Sequence, residues 1–180
     1  EHITTVSPNY VQEIQSETLG FGMQGLLTTR NDKLTGIVNG IDTDKWNPET
    51  DTYLAKNYSR EKLSGKIVNK KALQQYMGLD IDDDIPLLGV ISRLSYQKGT
   101  DLLIQIAPEL VKLPAQLVIL GSNHIELEQQ LILLAKMYPH AIAVQTGFDE
   151  ALSHLIEAGA DCFLMPSRFE PCGLNQMYSQ

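Results

Sequence analysis

From Pro86 onward, short apolar runs of strand length alternate with longer segments of helical spacing, and this alternation constrains the fold more than any other feature. The predicted strands are Leu87–Ile91, Gln116–Leu120, Ala141–Gln145 and Asp161–Met165. The predicted helices between them are Leu102–Leu113, Glu126–Met137 and Glu150–Ala158, the last with Asp149 as its cap and Gly159 as its stop. Strands that are apolar throughout belong to a parallel sheet with helices on both faces. The sequence therefore predicts a doubly wound α/β fold.

Before Pro86 the pattern is weaker and more irregular. The predicted elements there are a strand at Ile3–Ser7, a helical turn at Tyr10–Gln15, a mostly loop segment at Glu17–Lys33, a strand at Leu34–Val38 and a helix at Ser59–Met77 that Gly78 ends. The polar stretch from Trp46 to about Ser59 is interpreted as a connector rather than a core element.

Composition excludes several classes of protein. The 180 residues provide roughly one domain or slightly more, and the net charge of −8 argues against a general nucleic-acid binder. No apolar run reaches the roughly 18 residues of a membrane span. The two cysteines and four histidines lack the spacing of metal ligands, so we expect no metal and a reduced, intracellular protein.

Two cations follow the first strand of the regular region. Arg93 offers a planar fork of donors and Lys98, five residues later, offers a point charge, a combination that suits a diphosphate. The alternative interpretation is that both are solvated surface charges, and spacing alone does not decide between the two.

The loops after the second and third strands carry weaker signals. Gly121-Ser122 resembles a phosphate loop only slightly, and neither a Walker A sequence nor G-x-G-x-x-G is present. Phe148, in the third loop, has the chemistry to stack on a base. From sequence alone, packing of that ring against the next helix is the more common outcome.

A carboxylate stands between the fourth strand and the next helix. Glu170 is followed by Pro171 and Gly173, and the amides at the start of the helix favour an anion nearby. This arrangement predicts a carboxylate and a phosphate-type site within reach of each other. The alternative is that Glu170 only stabilises the start of the helix, by less than about 1 kcal/mol. Cys172 as a nucleophile is a minor alternative, because no histidine is placed as its base.

Several blocks occur together in the order found in one enzyme family. They are Thr5-Val6-Ser7-Pro8, Asn39-Gly40-Ile41-Asp42 with Trp46-Asn47-Pro48, Ser92-Arg93-Leu94 with Gln97-Lys98-Gly99, and Pro166–Leu174. In these blocks the chain resembles the bacterial glycogen synthases and the plant or algal starch synthases, which are retaining glucosyltransferases of glycosyltransferase family 5. The Ser-Arg-Phe-Glu-Pro-Cys-Gly-Leu block is the most specific of them.

The resemblance implies a GT-B fold, in which two Rossmann-like domains face a cleft. Residues 1–38 are then the end of the N-terminal, acceptor-side domain, 39–85 the interdomain crossing and connector, and 86–180 the first half of the C-terminal, donor-binding domain. It also implies transfer of glucose from ADP-glucose to the 4-OH at the non-reducing end of an α-1,4-glucan, with retention and without a cofactor or essential metal. The expected partners are the nucleotide sugar and the glucan, with no nucleic acid and no membrane. The expected location is the bacterial cytoplasm or the plastid stroma.

The resemblance assigns roles to individual residues. Arg93 and Lys98 resemble the pair that holds the donor diphosphate, and Glu170 resembles the essential carboxylate beside the transferred glucose. The other expected donor-binding residues are Asn39, Phe148, Cys172, Gly173, Leu174 and Asn175. The sequence departs from the family at Asn123, where glycine is usual, and at Asn175, where many bacterial members have threonine.

Alternatives to this function stay open at the level of sequence. The family's Lys-x-Gly-Gly donor loop does not occur, so we expect the chain to be a piece of the enzyme that is inactive alone. A non-catalytic nucleotide or glucan binder is one alternative. Another GT-B enzyme that uses a UDP- or GDP-sugar is the other.

Overall fold

A computed structural model describes residues 1–180. Its helices and strands are, in chain order, β1 (Ile3–Val6), α1 (Pro8–Glu13), α2 (Gln24–Thr29), β2 (Leu34–Ile37), α3 (Ser64–Met77), β3 (Leu87–Arg93), α4 (Thr100–Leu110), β4 (Gln116–Ser122), α5 (Ile125–Met137), β5 (Ile142–Thr146), α6 (Glu150–Gly159), β6 (Cys162–Phe163) and α7 (Leu174–Tyr178). The chain divides into two compact units: Glu1–Ile41 with Phe169–Met177, and Asp42–Arg168 with Tyr178–Gln180.

The first unit contains a parallel pair of strands. In the register of β1 and β2, Ile3 lies opposite Leu34. The sequence prediction of a mostly loop segment at Glu17–Lys33 is wrong, because α2 and a 3-10 turn at Asn31–Lys33 lie within it. None of the α2 residues is buried, so this helix has no apolar stripe for a periodicity argument to detect.

The second unit is built on a four-stranded parallel sheet in the order β5-β4-β3-β6. Successive side chains of a strand point to opposite faces, and β4 shows why its sequence is apolar throughout. Leu117 and Ile119 belong to one core cluster, and Val118 and Leu120 belong to another.

Helices cover both faces of this sheet. The first cluster packs the sheet against α4 and α5 through Leu103, Ala107, Leu110, Leu127 and Leu131. The second packs it against α3 and α6 through Leu73, Leu152 and Ile156. The predicted doubly wound α/β fold is therefore confirmed.

The helix pair α3 and α6 packs closely at Gly159. A Cβ atom on this residue would lie 2.8 Å from the carbonyl oxygen of Asn69 on α3. The sequence predicts Gly159 as the stop of α6, and the helix ends at this residue, one position beyond its predicted end at Ala158, so Gly159 combines close packing with the end of the helix. Gly78 does end α3 in the left-handed conformation, as predicted.

The predicted connector is anchored on α6. The Trp46 ring stacks on the His154 ring with centroids 3.8 Å apart, and Nδ1 of His154 lies 2.6 Å from Oδ2 of Asp51. Both His154 and Asp51 side chains are almost fully buried. Buried, paired polar groups of this kind fix one arrangement of a polar segment.

Several predicted boundaries need correction. The helix predicted from Ser59 begins at Ser64, and the helix predicted at Leu102–Leu113 spans Thr100–Leu110. The fourth predicted strand, Asp161–Met165, shrinks to Cys162–Phe163, because β6 pairs with β3 at two positions only.

Candidate active site

The order of strands in the sheet reverses at one place. From β3 the chain moves outward to β4 and β5, and then returns to place β6 on the other side of β3. The strand order therefore reverses between β3 and β6, and open α/β sheets bind ligands at such a point. The loops that follow these two strands therefore frame the candidate active site in this unit.

The first of these loops carries the two predicted cations. Arg93 is exposed and is the last residue of β3, which runs two residues past its predicted end at Ile91. Lys98 is half-buried, and its backbone N–H donates to the carbonyl oxygen of Ser95 over 3.1 Å. The Ser95 N–H in turn donates to the Thr100 hydroxyl over 3.1 Å, so hydrogen bonds within the turn hold its two ends together. Two cations thus stand at the two ends of one short, ordered segment.

The loop after β4 has a positive φ at a residue that is not glycine. Asn123 has a φ of +105°, in the region that glycine favours. Its N–H donates to Oε1 of Glu128 over 2.8 Å, which holds the loop against the first turns of α5. The departure from the family at this position therefore changes the side chain and leaves the backbone conformation that glycine permits.

The loop after β5 presents an aromatic ring to solvent. Gly147 has a φ of +107°, and Phe148 is 89% exposed. The carboxylate of Asp149 then caps α6 by accepting from the Leu152 N–H over 2.9 Å. The alternative that Phe148 packs against the next helix does not hold, since this ring is among the most exposed apolar groups of the chain.

The segment that carries Glu170 turns at a glycine with a positive φ. Gly173, buried and with a φ of +76°, directly precedes α7, and a Cβ atom on it would lie 3.3 Å from Cγ of Glu170. Glu170 is half-buried, and Cys172 is a half-buried free thiol. Leu174 and Asn175 form the start of the short α7. Glu170 therefore lies in the segment between β6 and α7.

The predicted site residues fall into two groups. Asn39, exposed beyond the end of β2, belongs to the first unit together with Glu170 and the segment up to Asn175. The second unit contains Arg93 at the end of β3, Lys98 in the loop that follows, and Phe148 in the loop after β5.

Sequence reasoning missed one ion pair at this edge. Arg168 and Asp101, which are 67 positions apart, form a pair with two contacts of 2.7 Å each. No local pattern signals such a pair, because the fold alone brings its members together.

Comparison with known proteins identifies the class to which this arrangement belongs. Residues 77–177 match the family model described as glycosyl transferases group 1, and the chain belongs to that family. The chain is 64% identical over all 180 residues to a glycogen synthase of Nitrosomonas eutropha and 62% identical to one of Nitrosospira multiformis. It spans 36% of the length of each of these relatives.

A solved structure gives the same result at the level of the fold. The catalytic domain of starch synthase IV from Arabidopsis thaliana, bound to ADP and acarbose, is 39% identical with a TM-score of 0.92. The match covers 99% of this chain and 37% of that one. The resemblance to glycogen and starch synthases and the GT-B fold class are confirmed. None of the helices combines the length and hydropathy that a membrane span requires.

Proposed function

We propose that the protein containing these residues elongates an α-1,4-glucan by transferring glucose from ADP-glucose to a non-reducing end, with retention of configuration. The similarity to glycogen synthases along the whole chain carries this proposal. The ADP bound to the similar starch synthase domain supports an adenine nucleotide as the leaving group. The named curated relatives are bacterial, which favours the bacterial cytoplasm over the plastid stroma as the location.

In this proposal Arg93 and Lys98 bind the donor diphosphate. Negative charge grows on the departing nucleotide as the glycosidic bond breaks, and two fixed cations stabilise that charge more in the transition state than in the ground state. The closed turn from Ser95 to Thr100 holds the Lys98 backbone in place before the substrate arrives. Because these side chains supply the positive charge, we expect the reaction to need no metal, and EDTA should leave the rate unchanged.

The Glu170 carboxylate is proposed to lie beside the glucose that is transferred, where a negative charge stabilises the positive character of the reacting sugar. Phe148 is proposed to stack on the adenine. Asn39, Cys172, Gly173, Leu174 and Asn175 are the proposed lining of the sugar and phosphate pocket.

Transfer of labelled glucose into glycogen by the full-length protein tests the function, with ADP-, UDP- and GDP-glucose compared as donors. We expect ADP-glucose to give the highest kcat/KM. Glu170→Ala should lower kcat at least tenfold, and Arg93→Ala and Lys98→Ala should each lower it about 10²- to 10³-fold. A loss below tenfold for Glu170→Ala would remove that residue from its proposed role. Preference for a UDP- or GDP-sugar would reject the proposed donor.

The 180-residue chain alone provides a separate test. We expect calorimetry to show at most weak ADP binding, and we expect no turnover. Measurable transferase activity from this chain would contradict the proposal that further parts of the enzyme complete the cleft.

A further inference from the structure

Arg168 connects the loop after β6 to the loop after β3. Its Nη1 and Nη2 atoms donate to Oδ1 and Oδ2 of Asp101, each over 2.7 Å. Nη1 also donates to the carbonyl oxygen of Tyr96. The backbone N–H of Arg168 donates to the carbonyl oxygen of Gln97 over 2.8 Å. The residues that Arg168 contacts flank Lys98 in the sequence: Tyr96 and Gln97 precede it, and Asp101 follows it.

The two loops also touch through their backbones. Gly99, next to Lys98, has a φ of +71°, and a Cβ atom on it would lie 2.2 Å from the carbonyl oxygen of Pro166. Any side chain at this position would push the loops apart. The Lys98 loop is thus packed against the segment that contains Arg168 as well as hydrogen-bonded to it.

The positive charge of Arg168 is paired with the carboxylate of Asp101. In this bidentate ion pair both terminal nitrogens of the guanidinium donate to the carboxylate. Charge-assisted bonds of this geometry are among the stronger hydrogen bonds. Asp101 is only 15% exposed and lies in the first turn of α4, where a negative charge is favourable. The Arg168 guanidinium lowers the pKa of the Asp101 carboxyl through their hydrogen bond. Both groups therefore stay charged and paired across the working pH range.

We infer that Arg168 is a positioning residue for glucosyl transfer: it fixes the loop that carries Lys98 against the loop after β6. The inference rests on the proposed function, because it assigns Lys98 to the donor diphosphate. A misplacement of about 1 Å in a catalytic group lowers a rate by roughly 10²-fold. The contacts of Arg168 between the two loops, which we call the brace, therefore affect catalysis although Arg168 does not touch the substrate.

The test uses Arg168→Ala and Arg168→Lys in the full-length protein. Arg168→Ala should lower kcat about 10- to 100-fold and change the KM for ADP-glucose less than about threefold. Arg168→Lys, which keeps the charge but loses the fork, should recover only part of the rate. Arg60→Ala, an exposed arginine in the second unit, is the matched control and should behave as the wild type.

A double variant separates positioning from general destabilisation. If Arg168 acts through Lys98, adding Arg168→Ala to Lys98→Ala should cost less than about twofold more in kcat, whereas independent effects would multiply. A wild-type kcat for Arg168→Ala, or multiplied losses in the double variant, would overturn the inference.

Hydrogen exchange gives a readout that does not depend on activity. The amides of Lys98, Gly99 and Thr100 are hydrogen-bonded within the turn, and they should exchange at least tenfold faster in Arg168→Ala than in wild type. Unchanged exchange would overturn the inference whatever the activity. A wild-type protein that transfers no glucose, with the faster exchange still present, would reject the proposed function and leave the brace in place.

Discussion

At the scale of single residues, Phe148 shows how the backbone exposes a functional group. The turn at Gly147, with a positive φ, and the cap at Asp149 fix both neighbours of this ring, which stays 89% exposed. Stacking of a base on an aromatic ring is worth about 1–3 kcal/mol. Phe148→Ala in the full-length protein should therefore raise the KM for ADP-glucose roughly 5- to 150-fold with little change in kcat.

Two variants at the same position identify the ring as the cause. Phe148→Tyr keeps an aromatic face and should retain the wild-type KM, whereas Phe148→Leu keeps an apolar side chain and should resemble Phe148→Ala. Equal KM values for the leucine and tyrosine variants would show that apolar contact, and not stacking, is what matters there.

Single residues also show what the sequence does and does not reveal. The positions of Arg93 and Lys98 after an apolar strand are enough to place both at the edge of the sheet, because parallel strands end at a common edge. The pairing of Arg168 with Asp101 depends on the loop after β6 meeting the first turn of α4, and the two positions are far apart in the chain. The φ of Asn123 is another such case, since a residue's letter does not state its backbone angle.

At the scale of elements, the contact between α3 and α6 depends on the absence of a side chain at Gly159. Gly159→Ala would gain up to about 1 kcal/mol of helix propensity but would place its Cβ atom 2.8 Å from the backbone of Asn69. Backbone cannot move aside cheaply, and overpacking of this kind costs about 1–3 kcal/mol. We expect Gly159→Ala to destabilise the protein, measured as a lower midpoint of thermal unfolding.

The matched control is a helical glycine with space around it. Nothing lies within 4 Å of a Cβ atom added to Gly25 in α2, so Gly25→Ala keeps the gain in propensity and adds no clash. It should leave the midpoint unchanged or raise it. A Gly159→Ala midpoint equal to or above that of Gly25→Ala would contradict the packing role.

The elements that the sequence predicts well are those with a strong burial pattern. The strands β3 and β4 and the helices α5 and α6 are apolar toward a core, and their positions follow from that pattern. The helix α2 escapes prediction because it has no buried face, and β6 is predicted too long because an apolar run does not show where pairing ends.

At the scale of the whole molecule, stability includes the cost of one buried carboxyl group. Glu157, on α6, has both carboxyl oxygens buried without a hydrogen-bond partner in the protein. This desolvation raises the pKa of Glu157 from 4.5 to about 8, although the nearby Lys66 ammonium lowers it in part. Burial also lowers the pKa of Lys66 and raises the pKa of Tyr58 in the same cluster.

The sign of the pH effect follows from the folded state holding the Glu157 proton more tightly than the unfolded state. The stability that the neutral acid provides is fully present below pH 4.5 and is lost as the pH rises toward about 8. Between about pH 6 and pH 9, the free energy of unfolding of the wild type should fall by roughly 1 to 3 kcal/mol more than that of Glu157→Gln. Urea unfolding of the chain, followed by fluorescence of its single tryptophan, Trp46, measures this difference. Glu61→Gln, at an exposed position, should follow the wild type at each pH. Because Lys66 and Tyr58 are present in every variant, parallel pH curves for wild type and Glu157→Gln would show that Glu157 does not titrate in this range.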